Sequence, residues 1–233
     1  MYPYGYGMDS TMFLLIPAVL LSMWAQSRVK STFSRYSQVR TRGGVTARQV
    51  AQMLLARFGM GNMPINRVQG SLTDHYDPSK RTLNLSETVD GSSSIAAIGV
   101  AAHEVGHAIQ HHQSYAPLIF RNAIAVPVSM VSQAAIPLFF IGLMMGNSLL
   151  ANIGILLFVG TIVFHLVTLP VEYDASARAI RLLRETQTLS PDELNGAQKV
   201  LNAAAWTYVA AALMSVLQLI RLIIYSRSRS RDR

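Results

Sequence analysis

The stretch AAHEVGHAIQHH, residues 101–112, contains four of the six histidines of this 233-residue chain. His103 and His107 are four positions apart, so on a helix both imidazoles project from one face and can bind a single ion. Glu104 is rotated from His103 by about 100° and can reach water beside that ion. This H-E-x-x-H pattern predicts a catalytic zinc site. The alternative is a His-rich helix face that is solvated or hydrogen-bonded.

The remaining ligand has to come from elsewhere in the chain. His111 lies about 12 Å along the helix axis from His103, too far to share its ion, and we interpret His111 and His112 as helix-end residues near the membrane surface. The chain has no cysteine, so a ligand must be His, Asp or Glu. Candidates are His75, acids of the same globular segment, and the stretch PVEYDASARA at 170–179.

Within that last stretch, chain topology favours Glu172. It is the first acid after an apolar hairpin, and two membrane crossings return the chain to the face where the histidines lie. The alternative is an ordinary acid in the first turn of a helix, favoured there by the helix dipole.

Such a site would hydrolyse peptide bonds through zinc-activated water, with Glu104 as general base. His75 and Tyr76 are candidate donors to the transition state, although packing of turn residues explains them equally well. The strand from Arg81 to Ser86, if one edge is free, could align an extended peptide. Gly106 inside the helix costs about 1 kcal/mol relative to Ala, which a close approach of another segment beside His107 would explain.

The composition indicates a membrane protein. Apolar residues make up 51% of the chain and charged residues 14%, whereas a soluble domain averages about 25% charged residues. The net charge of +8 comes from basic residues that flank apolar runs and do not alternate with aromatic residues. This distribution indicates contact with a lipid bilayer and argues against binding of nucleic acid.

The predicted fold is a mainly α integral membrane protein with about four membrane helices. Joined to them is a small α+β unit that contains the H-E-x-x-H helix and a short β-hairpin, with strands at Ile65–Leu72 and Arg81–Ser86. The predicted segments are a disordered tip at 1–10, a membrane helix at 11–26, a globular catalytic part at 27–116, a membrane helical hairpin at 117–170, a helix with the third ligand at 171–202, a membrane helix at 203–225 and a basic tail at 226–233.

More than half of the chain's 20 Lys and Arg residues lie between Gln26 and Asn122. The positive-inside rule therefore predicts that the catalytic part faces the cytoplasm. With four spans the basic tail would then lie outside, against the same rule. Either the tail is an exception or the last apolar segment is re-entrant or interfacial.

Three stretches, LTDHYDPSKRTLNLSE, SIAAIGVAAHEVGHAIQHHQSYAP and LVTLPVEYDASARA, resemble the YugP-type family of neutral zinc metallopeptidases of bacterial membranes. The chain is more distantly similar to heat-shock membrane zinc proteases and prenyl-protein endopeptidases. The resemblance implies a zincin-like unit in the bacterial plasma membrane. It also implies Zn2+ bound by His103, His107 and Glu172, and a general base at Glu104.

The partner of one ligand histidine differs from the pattern of the distant relatives. They usually have Asp four residues after the ligand Glu, and this chain has Ser176 there. Asp174 is a possible substitute, although helical geometry places it on a different face.

The resemblance and the motif together predict a membrane-anchored, gluzincin-like metalloendopeptidase that acts on peptides or membrane-protein segments. One alternative is an intramembrane zinc protease, which the short apolar run before His103 disfavours. Another is a non-catalytic, zinc-bound scaffold or regulatory partner of a membrane protein. Glu104 disfavours that role, because structural zinc needs no general base and has a closed coordination shell.

Overall fold

A computed structural model describes residues 10–231, so most of the predicted tip and the last two residues of the tail lie outside the described residues. The chain is mainly α-helical with one small sheet, as predicted. A short 3-10 helix, Ser10–Leu15, precedes helices α1 Ile16–Ser37, α2 Ala47–Arg57, α3 Ile95–His112, α4 Ala116–Met144, α5 Ser148–Glu185 and α6 Pro191–Arg231, and the strands are β1 Ile65–Val68, β2 His75–Asp77 and β3 Thr82–Ser86.

Within residues 10–231, four helical segments are long and apolar enough to cross a membrane, which agrees with the predicted number of about four. They are Thr11–Ser37, Ala116–Met144, Ser148–Glu185 and Pro191–Ser228. These helices extend well beyond the apolar runs in the sequence. Helix α5 continues through Pro170 into polar sequence, and α6 begins in polar sequence before it becomes apolar.

The polar segment predicted as one helix at 171–202 contains a break. Helix α5 ends at Glu185, and Gln187 has a left-handed backbone with φ of 52°. Pro191 then occupies the first position of α6, where its missing N–H costs nothing. The Glu193 carboxylate accepts a hydrogen bond from Ser190 N–H at 2.7 Å and so caps the new helix.

The chain divides into two compact units. One, here called the catalytic unit, comprises Ala25–Phe120 and Thr168–Thr207; the other, the apolar unit, contains the rest of the described residues. In the apolar unit, Arg221 Nε donates to Thr11 Oγ1 at 3.3 Å, so the end of α6 lies beside the start of the first apolar segment. Helix α6 is continuous here, which argues against a re-entrant course for the last apolar segment.

In the catalytic unit, helices α2 and α3 pack with the sheet around buried Leu54, Leu83 and Ile98. Helix α2 begins at Thr46, whose side chain forms a capping box with Gln49. Ser94 is the N-cap residue of α3, and its side chain accepts a hydrogen bond from the backbone N–H of Ala97. The Ser94 cap fixes the start of the helix that carries the histidines.

The sheet has the strand order β1-β3-β2. Strand β3 is central, parallel to β1 and antiparallel to β2, so the expected free edge on the strand Arg81–Ser86 is wrong. The hairpin consists of β2 and β3, whereas the first predicted strand ends at Val68 and pairs in parallel. The free edge next to the hairpin therefore belongs to β2.

Helices α3 and α5 are in direct backbone contact at Gly106. A Cβ atom at this position would lie 2.6 Å from the carbonyl oxygen of Ala175. The expectation that another segment approaches closely beside His107 is confirmed, and the segment is α5. Glycine is required here because the neighbouring atom is helical backbone, which cannot rotate away.

We expect Gly106→Ala to lower the melting temperature. Alanine favours a helix by about 1 kcal/mol over glycine, but overpacking against the α5 backbone costs about 1–3 kcal/mol and displaces Glu172 from α3. Gly91→Ala is the control, since its Cβ would meet no heavy atom within 4 Å. If the Gly106→Ala protein has the same melting temperature as the wild type and the control, the close approach of α5 to Gly106 is contradicted.

Candidate metal centre

Three side chains from two helices meet in the catalytic unit. His103 and His107 are on α3, and Glu172 is on α5. Glu172 Oε2 lies 3.3 Å from His103 Nε2 and 3.6 Å from His107 Nε2. The structure thus brings together the three residues predicted as ligands, and their ligand atoms all lie within 4.8 Å of one another.

The geometry of this group fits a zinc ion. Tetrahedral bonds of about 2.0–2.1 Å separate neighbouring ligand atoms by about 3.3 Å, close to the 3.3 and 3.6 Å observed. Two histidines and a glutamate are also a ligand set of catalytic zinc, which has three protein ligands and one open position.

The electrostatics of the group favour a cation. Burial lowers the pKa of His107, but the adjacent carboxylate of Glu172 and the charge of Glu104 outweigh it, and the pKa is raised. Both carboxylates are themselves buried, with Glu104 9% and Glu172 4% exposed. Buried carboxylates need a compensating positive charge, and a bound divalent ion would supply it.

Gln110 fixes the orientation of His107. Its Oε1 lies 3.0 Å from His107 Nδ1, and its Nε2 donates at 2.8 Å both to the Val171 carbonyl and to Asp174 Oδ2. Because the amide nitrogen has two acceptors, Oε1 must accept from His107, and Nδ1 carries the proton. The lone pair of His107 Nε2 is then directed towards Glu172, as a metal ligand requires.

Ser176 performs the equivalent role for His103. Its hydroxyl lies 3.1 Å from His103 Nδ1, at the position where the distant relatives have Asp. Asp174 instead acts on the other histidine through Gln110, and the Arg178 guanidinium forms a salt bridge with its carboxylate. The different helix face expected for Asp174 is thus the reason that it reaches His107 and not His103.

Sequence reasoning missed Gln110. This side chain is fully buried, although glutamine is usually exposed. The available signal was its position three residues after His107, which places its polar side chain on the same helix face as that histidine.

Glu104 lies between the histidines and the sheet. Its Oε2 accepts a hydrogen bond at 3.0 Å from the backbone N–H of Tyr76, on edge strand β2. Asp74, just before β2, accepts two hydrogen bonds from Ser86 at 2.7 and 2.9 Å. Burial raises the pKa of Asp74 and the charge of Glu104 adds to this, against the lowering by Ser86. The start of β2 is thereby joined to β3, which positions the donor for Glu104.

The other predicted residues have separate surroundings. The ring of exposed His75 has its Nδ1 2.9 Å from the Thr73 carbonyl. The Tyr76 hydroxyl lies 2.8 Å from His111 Nδ1, so His111 has a protein partner, while His112 is exposed. Within residues 10–231, none of these three histidines belongs to a three-ligand group.

We expect Gln110→Ala to weaken zinc binding by about 10- to 100-fold, the usual effect of removing a partner of a ligand histidine. Asp174→Asn should have a smaller effect, because Gln110 retains its bond to the Val171 carbonyl. Chelator competition on purified protein measures both. Gln52→Ala, an exposed glutamine of α2, is the control, and equal affinities for all four proteins would contradict this role of Gln110.

Comparisons with known proteins point to a zinc peptidase of membranes. A model of the family described as "Putative neutral zinc metallopeptidase" matches residues 11–227. The protein named "Putative membrane protease YugP" from Bacillus subtilis (strain 168) is 46% identical over 212 residues, which cover 91% of this chain and 94% of that protein. No solved structure matches the chain.

Proposed function

Because the chain belongs to the neutral zinc metallopeptidase family, as its sequence motifs indicated, we propose that it is a membrane-anchored zinc metalloendopeptidase with Glu104 as general base. The observation that carries the proposal is the convergence of His103, His107 and Glu172. Glu104 is buried beside them and is held by a backbone donor. A purely structural zinc site would not need this additional carboxylate.

When bound, zinc would act as a Lewis acid: it would polarise the scissile carbonyl and lower the pKa of water, so that water loses a proton more easily and becomes a better nucleophile. Glu104 accepts the proton from the attacking water and passes it to the leaving amine. The Tyr76 N–H holds Oε2 of this carboxylate, so we assign the proton transfer to Oε1. Gln110 and Ser176 hold the two imidazoles in the orientation that binding requires.

Edge strand β2 is the element that we propose to align the substrate. One side of β2 pairs with β3, and the Tyr76 N–H points from the other side towards Glu104. An extended peptide, free or part of a membrane protein, would run along this side with its backbone near the catalytic carboxylate. Tyr76 would then assist through its backbone, since its hydroxyl contacts His111.

We further propose that the catalytic unit faces the cytoplasm from the bacterial plasma membrane. The basic residues between Gln26 and Asn122 support this orientation through the positive-inside rule. The contact between Arg221 and Thr11 supports a common side for the first residues and the basic tail. In this arrangement the tail is the exception to the rule.

We expect Glu104→Gln to reduce peptide hydrolysis by at least about 100-fold while zinc remains bound, since a general base contributes about 10²–10⁴-fold. Glu172→Ala should lose the metal itself. Cleavage of an unstructured protein, together with zinc content by mass spectrometry, separates the two effects.

The matched control for these substitutions is Glu87→Gln, an exposed glutamate that follows β3. It should retain both zinc and activity. Wild-type protein without stoichiometric zinc would refute the metallopeptidase, and full activity of Glu104→Gln would refute the assigned base.

Single cysteines test the orientation and the depth of the site, because the chain has no cysteine of its own. Gln113→Cys, at the exposed end of α3, should react with a water-soluble maleimide only after the cells are permeabilised. Asn147→Cys, exposed between α4 and α5, should react in intact cells. The opposite pattern would reverse the orientation, and an unreactive Gln113→Cys would favour an intramembrane site.

A further inference from the structure

A groove of about 460 Å³ opens in the catalytic unit beside the hairpin. Its apolar wall consists of Met60, Met63, Ala108 and Ile119. The first two pack against the hydrophobic core, so this wall is part of the folded unit. The volume falls in the range of ligand pockets, about 300–1,000 Å³, and is sufficient for a large amino-acid side chain.

The groove continues from the general base along α3. Ala108, His111 and His112 line it and follow Glu104 by four, seven and eight residues, so all lie on the same helix face. Helix rise places Ala108 about 6 Å and His111 about 10 Å beyond Glu104. An extended peptide advances about 3.3–3.6 Å per residue, so the groove lies within about three residues of the bond to be cleaved.

Tyr76 connects the groove to the catalytic carboxylate of Glu104. Tyr76 donates its backbone N–H to Glu104, and its hydroxyl contacts His111 inside the groove. A side chain bound in the groove would therefore contact the strand that positions the base.

The polar part of the groove contains a cationic side chain. Arg81 lines it. Burial raises the pKa of the Tyr76 phenol, while the charge of Arg81 lowers that pKa, against the charge of nearby Asp77, which raises it. Among the described residues that line the groove, none is acidic. The nearby Asp77 carboxylate accepts the backbone N–H groups of Ser79 and Lys80 at 2.9 and 3.0 Å, within its own turn.

We propose that this groove is a substrate subsite that selects an acidic side chain, with the carboxylate bound by Arg81 and the aliphatic part lying on the methionine wall. The proposal rests on the proposed peptidase function and adds its specificity. Guanidinium matches carboxylate geometry through paired charge-assisted hydrogen bonds. The substrate would be a peptide with Glu or Asp within three residues of the cleaved bond.

The test uses the full-length zinc-loaded protein in detergent and a peptide whose cleavage site has been mapped by mass spectrometry. Variants of the peptide have Glu, Gln or Lys at each of the three positions on either side of that bond. At one position Glu should exceed Gln in kcat/KM by about 10-fold, as expected for a charged hydrogen bond. Arg81→Gln should abolish this preference, so that the Glu and Gln peptides are cleaved with equal kcat/KM, and Arg81→Glu should favour the Lys peptide.

Lys80→Gln is the matched control, because it removes an equal charge from the neighbouring, solvent-exposed side chain. It should retain the preference for Glu. Melting temperatures establish that each variant is folded. Wild-type cleavage with no Glu preference at any position, or a preference that survives in Arg81→Gln, would overturn the subsite and leave the peptidase intact.

A binding measurement distinguishes failure of the subsite from failure of the peptidase. In Glu104→Gln protein, fluorescence anisotropy should show tighter binding of the Glu peptide than of the Gln peptide, and Arg81→Gln should remove the difference. Equal binding overturns the subsite whether or not the wild type cleaves. Anionic vesicles are also added to the wild type and to Arg81→Gln. If they stimulate cleavage of the Gln peptide by the wild type and not by Arg81→Gln, the groove binds lipid headgroups and the peptide proposal is wrong.

Discussion

The close contact between α3 and α5 is the constraint on which the candidate metal centre depends. Two of its side chains, His103 and His107, are one turn apart on α3. The third, Glu172, is remote in sequence and cannot be placed by the geometry of α3 alone. Glu172 reaches them because Gly106 allows the α5 backbone to approach. Gln110 then joins the two helices through the Val171 carbonyl and Asp174. Packing, ligand geometry and imidazole orientation are therefore three results of one interhelical contact.

The long helices explain how a small sheet and a short helix can support such a site. Helix α5 belongs to the apolar unit up to Val167 and to the catalytic unit from Thr168 onwards, without a break in the helix. Helix α6 has the same character, and Gly99 of α3 packs against its Ala197. The catalytic unit thus draws much of its core from helices that continue into apolar sequence.

The sequence allowed the local features to be predicted and left the long-range pairings open. His103, Glu104 and His107 followed from helical periodicity, and the four apolar helices followed from their length. Glu172 required chain topology and a family resemblance, because its partners are remote in sequence. The parallel pairing of β1 with β3 was missed since a short strand carries no signal of its partner. Gln110 was missed for a related reason: its three hydrogen bonds depend on how two helices pack, which periodicity does not determine.

The order of the ligands along the chain has a consequence for biosynthesis. His107 and Glu172 are separated in sequence by all of α4 and the apolar part of α5. In the proposed site, the ion would therefore close a loop that contains the whole apolar hairpin. A nascent chain that has not inserted this hairpin lacks a complete ligand set. Proteolytic activity would then depend on membrane insertion. A chain left in the cytosol would have the two histidines and the general base but would be inactive.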